Sequence, residues 1–451
     1  SSVTVQENVF FGNCAGYGNT TGKKNTYVGN KVAYKNQNGV NNVILGPEAN
    51  GSETIGDNNA QKLCIVGYQS FYNNQGNSNT SLGYQSGYSN TTGNENTFIG
   101  SYSGKNNQTG NYNTYIGYHT GSENNIGVSN TLIGYESNKG STNDTDINNI
   151  TSIGFQCLKN NQGDSNTAIG YQAGYSKTSG KWNTLLGYKA GYYNTEGEYN
   201  ILIGHESNLG VSGDSISNVV SIGYQCLKNN QGDSNTAIGY QAGYSNTTAI
   251  DNTLIGFQAG YGNTTGNNNT LIGYESNYGV SGDVISNVTS IGYQCLKTNQ
   301  GDSNTAIGYQ AGYSNTTATG TTLLGYQAGY ENITGSNNTL IGYESNCGAI
   351  KGTMGTGSNY SSTVGYLSSS ENAVNDYYKG WILETVNPTG KFIIQDYTNS
   401  DNKITVIPSL SGGNVFSTST TYILKLMMNG NRYLQMSGDK ILDTSSSSLD
   451  D

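Results

Sequence analysis

Asn304-Thr305-Ala306-Ile307-Gly308-Tyr309-Gln310-Ala311-Gly312-Tyr313 decides the fold, because a version of it returns about every seventeen residues along most of the chain. Self-similarity at a short fixed period marks repeat architectures, in which each unit buries its apolar strip only against its neighbours. The glycine of each Ile-Gly pair, or its equivalent, serves as a marker. It falls at Gly12, Gly29 and Gly46, and onward to Gly325, Gly342 and Gly365. The sequence therefore predicts an all-β protein, a β-solenoid in the form of a two-sided β-roll with about 17 residues per coil and about 20 coils.

A longer period lies over the first. Gly154, Gly223 and Gly292 are spaced 69 residues apart. The coil with the longest interval always follows the same variant, as in Tyr135-Glu136-Ser137-Asn138, His205-Glu206-Ser207-Asn208 and Tyr274-Glu275-Ser276-Asn277. Enlarged loops are expected after it, at 49–62, 137–149, 207–219, 276–288 and 345–361.

Within a coil, Asn-Thr-x-Ile-Gly-Tyr-x-Ala reads as a strand with period-two alternation. Thr, Ile, Tyr and Ala fall on one face, read here as the interior. Ile169, Gly170, Ile238, Gly239, Ile307 and Gly308 are then its structural ladder. The other face is also apolar, with Leu185, Leu202, Leu254, Leu271, Leu323 and Leu340 two residues before their markers. A strand apolar on both faces is usually buried on both. These leucines are accordingly expected at the interface of a homo-oligomer, most simply a homotrimer, with an end-to-end filament as the alternative form of self-association. The remainder of each coil is turn chemistry, rich in Gly and Asn. Two short strands and two turns fit seventeen residues, and stacking at about 4.8 Å gives a rod of about 95 Å.

Domain organisation follows from composition. Residues 1–11 form a lead-in or capping strand, and 12–368 the solenoid. Near residue 369 the period ends, and Trp381, Pro388 and Pro408 appear in a small all-β C-terminal domain, 369–444, followed by a polar tail, 445–451. Hydrophobic residues are 33% and charged residues 11%, with 64 Gly and 37 Tyr, a composition too lean for a compact core but sufficient for a stack.

With a net charge of −10 and a single arginine, Arg432, the chain is a poor nucleic-acid ligand, and no apolar run is long enough to span a membrane. It begins Ser1-Ser2 without a signal peptide, which reads as a processed protein or a fragment.

The repeat Asn-Thr-x-Ile-Gly-Tyr-x-Ala resembles the head repeat of trimeric autotransporter adhesins. The fuller Gly-Tyr-Gln-Ala-Gly-Tyr-Ser-Asn-Thr-Thr-Gly is similar to repeats of phage and giant-virus tail-fibre-like proteins. Asn375-Asp376-Tyr377-Tyr378-Lys379-Gly380-Trp381 looks like a module of such viral fibres. The resemblance implies a left-handed β-roll trimer at a virion or extracellular surface.

Little in the sequence suits catalysis. His119 and His205 occupy ladder positions, no Cys/His spacing suits a metal, and no glycine run forms a phosphate loop. No cofactor is expected, and the chain reads as a non-enzyme. Cys157, Cys226 and Cys295 share one coil position, about 19 Å apart, too far for bridges. Asp164, Asp233 and Asp302 recur in Gly-Asp-Ser-Asn, where a turn role outweighs calcium. Sequons at Asn19, Asn90, Asn246, Asn263, Asn315 and Asn332, and also at Asn107, Asn143, Asn149 and Asn287, are glycosylation candidates under a secretory route. The expected function is a structural fibre with an adhesive or receptor-binding role, its tyrosines offering stacking surfaces to a host-surface glycan. An ice- or surface-binding solenoid is the alternative, disfavoured by a Thr column that is single and read as partly inward. A bacterial adhesin head is a further one.

Overall fold

The computed structural model describes residues 6–52, 59–140 and 147–345, together with the backbone of eight strands between 350 and 442. The chain divides into two units, residues 1–268 with 281–283 and residues 269–280 with 284–451.

The first unit is a β-solenoid carrying fifteen three-residue strands, from β1 (Val9–Phe11) to β15 (Thr253–Ile255), one per coil. Each pairs in parallel with the strand a coil away and in strict register, as in Thr167↔Thr184, Ala168↔Leu185 and Ile169↔Leu186. The second unit has coils of the same kind, carrying β16 (Thr270–Ile272) to β20 (Thr339–Ile341). Each coil holds one strand rather than the two expected. Its other side is made of turns that still bond coil to coil through the backbone. Gly174 N–H donates to Ala190 O (2.9 Å), Ser176 to Tyr192 O (3.0 Å) and Thr178 to Thr195 O (2.8 Å).

The faces of the strand are the reverse of the sequence reading. Leu202, Leu271 and Leu323 are fully buried inside their own chain, as are Leu185, Leu254 and Leu340 to within a few per cent. These leucines are core, not interface. The ladder residues Ile169, Ile238 and Ile307, with the Thr column two residues earlier, face outward. The error lies in carrying the alternation through the marker. Gly170 and Gly239 have φ of +140° and +144°, so the extended strand ends there. The parity changes, and Ala173 and Ala242 turn inward beside the leucines rather than opposite them. A Cβ on Gly170 would collide with the carbonyl oxygen of Gly187 one coil on, which explains why the marker is glycine.

The interior balances volume from coil to coil. Where the inward strand residue is Ser152, Ser221 or Ser290, a leucine (Leu158, Leu227, Leu296) fills the position four after the marker. Where it is Leu185, that position is Gly191. Gly174 lies between Leu158 and Leu185, and a Cβ there would come within 2.7 Å of both. Leu158 tolerates a φ of +49° to make this fit. Close packing of a thin core leaves no other room.

The interior is also polar, most regularly in the Asn column four before the marker. Asn183 donates from Nδ2 to Gly197 O (3.0 Å), while its Oδ1 accepts the backbone N–H of Asn200 (3.1 Å) in the next coil. Asn96 and Asn113 repeat the pattern. Each amide bonds both to its own coil and to the next, so buried polarity is compensated.

In the second unit, β21 (Ile350–Thr353), β22 (Val364–Tyr366), β23 (Ile382–Val386), β24 (Thr389–Thr398), β25 (Lys403–Ile407) and β26 (Thr421–Lys425) form a separate antiparallel sheet, ordered β21-β26-β23-β24-β25-β22. Gly365, expected as the last marker, lies in β22 opposite Ile404. Among the described residues the last parallel strand is β20, short of the boundary expected at residue 368. The tail 445–451 and Cys347 lie outside the described residues.

Candidate interaction surface

Three columns make up the outward side of the sheet: the residues three and one before each marker, and the residue one after it. The first is mostly Thr. The second is aliphatic in every coil from β2 (Thr26–Val28) to β20. The third is mostly Tyr. No Asp, Glu, Lys or Arg stands at any of these positions between β1 and β20. Leu185 and Leu186 show the contrast within one strand: the first is 2% exposed and the second 42%.

The aromatic column is continuous over long runs. In the first unit Tyr118, Tyr135, Phe155, Tyr171, Tyr188, His205, Tyr224, Tyr240 and Phe257 stack with centroids 4.8–5.4 Å apart and planes within 5–18°. In the second, Tyr274, Tyr293, Tyr309, Tyr326 and Tyr343 stack at 5.0–5.1 Å. The ring faces are covered by one another and the edges point out, so the expected stacking of sugars on exposed ring faces has no surface along the column. His205 is one member of this stack, and His119 stacks on Tyr102.

Beside the rings runs an amide ladder. Gln327 donates to Gln310, Gln310 to Gln294, and Gln294 to Glu275, at 2.8–3.0 Å. Gln258, Gln241 and Gln225 lead in the same way to Glu206, and Gln172 and Gln156 to Glu136. A carboxylate accepts and cannot donate, so it ends each ladder and sets its direction. The Glu of every fourth coil therefore has a structural cause.

A lysine completes each terminus. Lys159, Lys228 and Lys297 pair with Glu136, Glu206 and Glu275 at 2.9–3.0 Å and lie over the rings of Tyr175, Tyr244 and Tyr313. Partial burial pushes the Glu136 carboxyl up, but hydrogen bonds from Lys159, Gln156 and Lys139 outweigh it and hold it at about 2. Glu206 and Glu275 are lowered against the same burial by their Gln and Lys partners.

The sequons divide sharply. Asn90, Asn246, Asn263, Asn315 and Asn332 are buried seven residues after their markers, where Asn90 donates to Gly93 O (3.0 Å) and Asn332 to Gly335 O (2.9 Å). Asn107 is buried in the same column, and Asn19 is half-buried in it. A glycan at the buried positions is incompatible with the folded coil, which corrects the glycosylation reading. Asn149 and Asn287 remain exposed at loop ends, and Asn143 lies outside the described residues.

Lys177 takes this column's place in its coil. Its side chain is buried, and Nζ donates to Gly197 O in the next coil (2.7 Å). Burial drives its pKa down to about 7, with Glu198 opposing. No signal in composition or charge singles it out; only alignment of the repeats does. Burial likewise pushes the thiols of Cys157, Cys226 and Cys295 up to about 12, 11 and 11, leaving them inert. Asp164, Asp233 and Asp302 accept backbone N–H groups of Asn148, Ser217 and Ser286 in the preceding coil (2.8–2.9 Å), a turn role.

No protein-family model matches the chain, and no curated protein or solved structure matches it. Function must be read from the geometry alone.

Proposed function

We propose that this protein is a structural fibre element of an extracellular or virion surface, self-associating along its coils and displaying its enlarged loops for adhesion. The observation that carries this reading is the outward face of the coils: charge-free, aliphatic in the second column through the nineteen strands from β2 to β20, and regular at the spacing of the backbone. Single exposed apolar residues are ordinary, but a contiguous apolar strip such as that of the first unit, β1 to β15, is not. Stiffness follows from the hydrogen-bonded Asn and Gln columns and the stacked Tyr column, each tying one coil to the next. Because the ring faces are occupied, recognition of a host-surface glycan falls to the loops 207–219 and 276–288, where Val211, Val280 and Val284 are exposed. No catalytic role is assigned. Electron microscopy of the full chain tests the reading: elongated particles of uniform width are expected, and compact monomeric lobes contradict it.

One observation favours a second reading. The Thr column faces outward beside the aliphatic column rather than inward, which restores the geometry a lattice-binding surface needs. Thermal hysteresis in dilute solution would support ice binding, and its absence removes it.

A further inference from the structure

We propose that the seam between copies of this chain is the outward sheet face itself, with the aliphatic and aromatic columns of one copy packed on those of another. The inference rests on the fibre reading and deepens it by naming the surface. Three observations lead to it.

The first is area. Eight of the rings from Tyr118 to Phe257 are 38–44% exposed. At roughly 200 Å² per aromatic side chain, each leaves about 80 Å² accessible, about 650 Å² for the run. The adjoining column, with Ile169 37% and Leu186 42% exposed, carries the total past the roughly 800 Å² that one partner contributes to a standard interface.

The second is charge. Charged residues are 11% of the chain, yet none stands on the three outward columns between β1 and β20. Depletion of charge with enrichment of aromatic residues is the composition of an interface centre.

The third is commensurability. The columns repeat at the coil spacing, with ring centroids 4.8–5.4 Å apart over nine coils. A partner that packs against every coil must carry the same axial repeat, or its contacts drift out of register within a few coils. A second copy carries that repeat by construction. Closed symmetry then places the same residues at each contact.

The test is sedimentation equilibrium of the full chain at micromolar concentration, comparing wild type with the triple variant Ile169→Lys, Ile238→Lys, Ile307→Lys. These side chains point away from the core, and circular dichroism checks that the coil persists. A control triple, Thr92→Lys, Thr109→Lys, Thr248→Lys, adds the same charge at exposed turn positions. The expected result is an oligomeric wild type and control, with the seam triple shifted to monomer mass. A monomeric wild type, or equal effects of both triples, overturns the proposal. Should the seam triple fail to fold, a photo-crosslinking phenylalanine analogue at Tyr240 replaces it. Covalently joined chains support the seam, and their absence contradicts it. The fibre reading fails separately: elongated particles in micrographs of a monomeric chain sink only the seam, whereas compact particles sink the fibre.

Discussion

Lys177→Asn should stabilise the protein, and by an amount that depends on pH. In the folded chain the ammonium is buried and donates to Gly197 O, with its pKa lowered from 10.5 to about 7. In the unfolded chain it is ordinary. The sign follows: the folded state resists protonation, so the cost is absent above pH 10.5, grows as pH falls toward 7, and is constant below that. At about 1.4 kcal/mol per pH unit the full gap corresponds to an upper bound of about 5 kcal/mol. Loss of the hydrogen bond to Gly197 O offsets about 1 kcal/mol, part of which Asn recovers by closing its own turn, as Asn161 does with Gly163 O. The expected net gain at pH 7 is about 2–4 kcal/mol, shrinking toward zero near pH 10. Solenoids open in segments, so native-state hydrogen exchange of peptides covering residues 170–200, at pH 7 and again at pH 9.5 after correction for intrinsic rates, is the appropriate assay. A variant no more protected at pH 7, or a gain that does not change with pH, would refute the reasoning.

Further expectations follow from the packing and the ladders. Leu254→Ala removes a fully enclosed side chain and should cost about 2–5 kcal/mol by denaturant titration, whereas Leu186→Ala, half-exposed in the isolated chain, should cost well under half as much in the monomeric seam variant. Gly239→Ala places a Cβ against Gly256 O at a φ of +144°, so loss of protection in the coils around it is expected, with unchanged exchange there counting against the close approach. The Glu136 carboxylate stabilises the fold above its ordinary pKa near 4.5 and loses that contribution as pH falls toward about 2. Glu136→Gln should therefore flatten the acid limb of a stability–pH profile, and an unaltered limb would contradict the pairing. In the native protein a thiol reagent should modify exposed Cys64 quickly and leave Cys157, Cys226 and Cys295 untouched until unfolding.

The coil, its length and its parallel register were legible because the marker glycine and the residues around it recur at one spacing. What the repeat hid was facing. Ala306 and Ile307 differ little in character, and both faces of the strand are apolar, so alternation alone left two assignments. The deciding fact is the positive φ at the marker, which breaks the alternation between Ile169 and Ala173. The sequons misled for a related reason. Asn246 reads as a surface turn residue, yet its amide closes a turn from inside the coil. The Glu of every fourth coil was visible as a pattern, but its cause, a carboxylate ending a ladder of donors, needs the stacked geometry. Lys177 was invisible because a lysine among polar residues reads as solvated. Gly365 kept the marker pattern without the coil, since Ile-Gly-like pairs also fit an antiparallel strand.

The most direct measurement is hydroxyl-radical footprinting of the adjacent pairs Leu185/Leu186 and Leu323/Leu324, which share one chemistry and differ only in facing. In wild type both members of each pair should be protected, one by its own core and one by the seam. In the lysine triple variant Leu186 and Leu324 should become labelled while Leu185 and Leu323 stay protected. Labelling of Leu185 or Leu323 in the folded protein, or of Leu186 equally in both forms, would contradict the account.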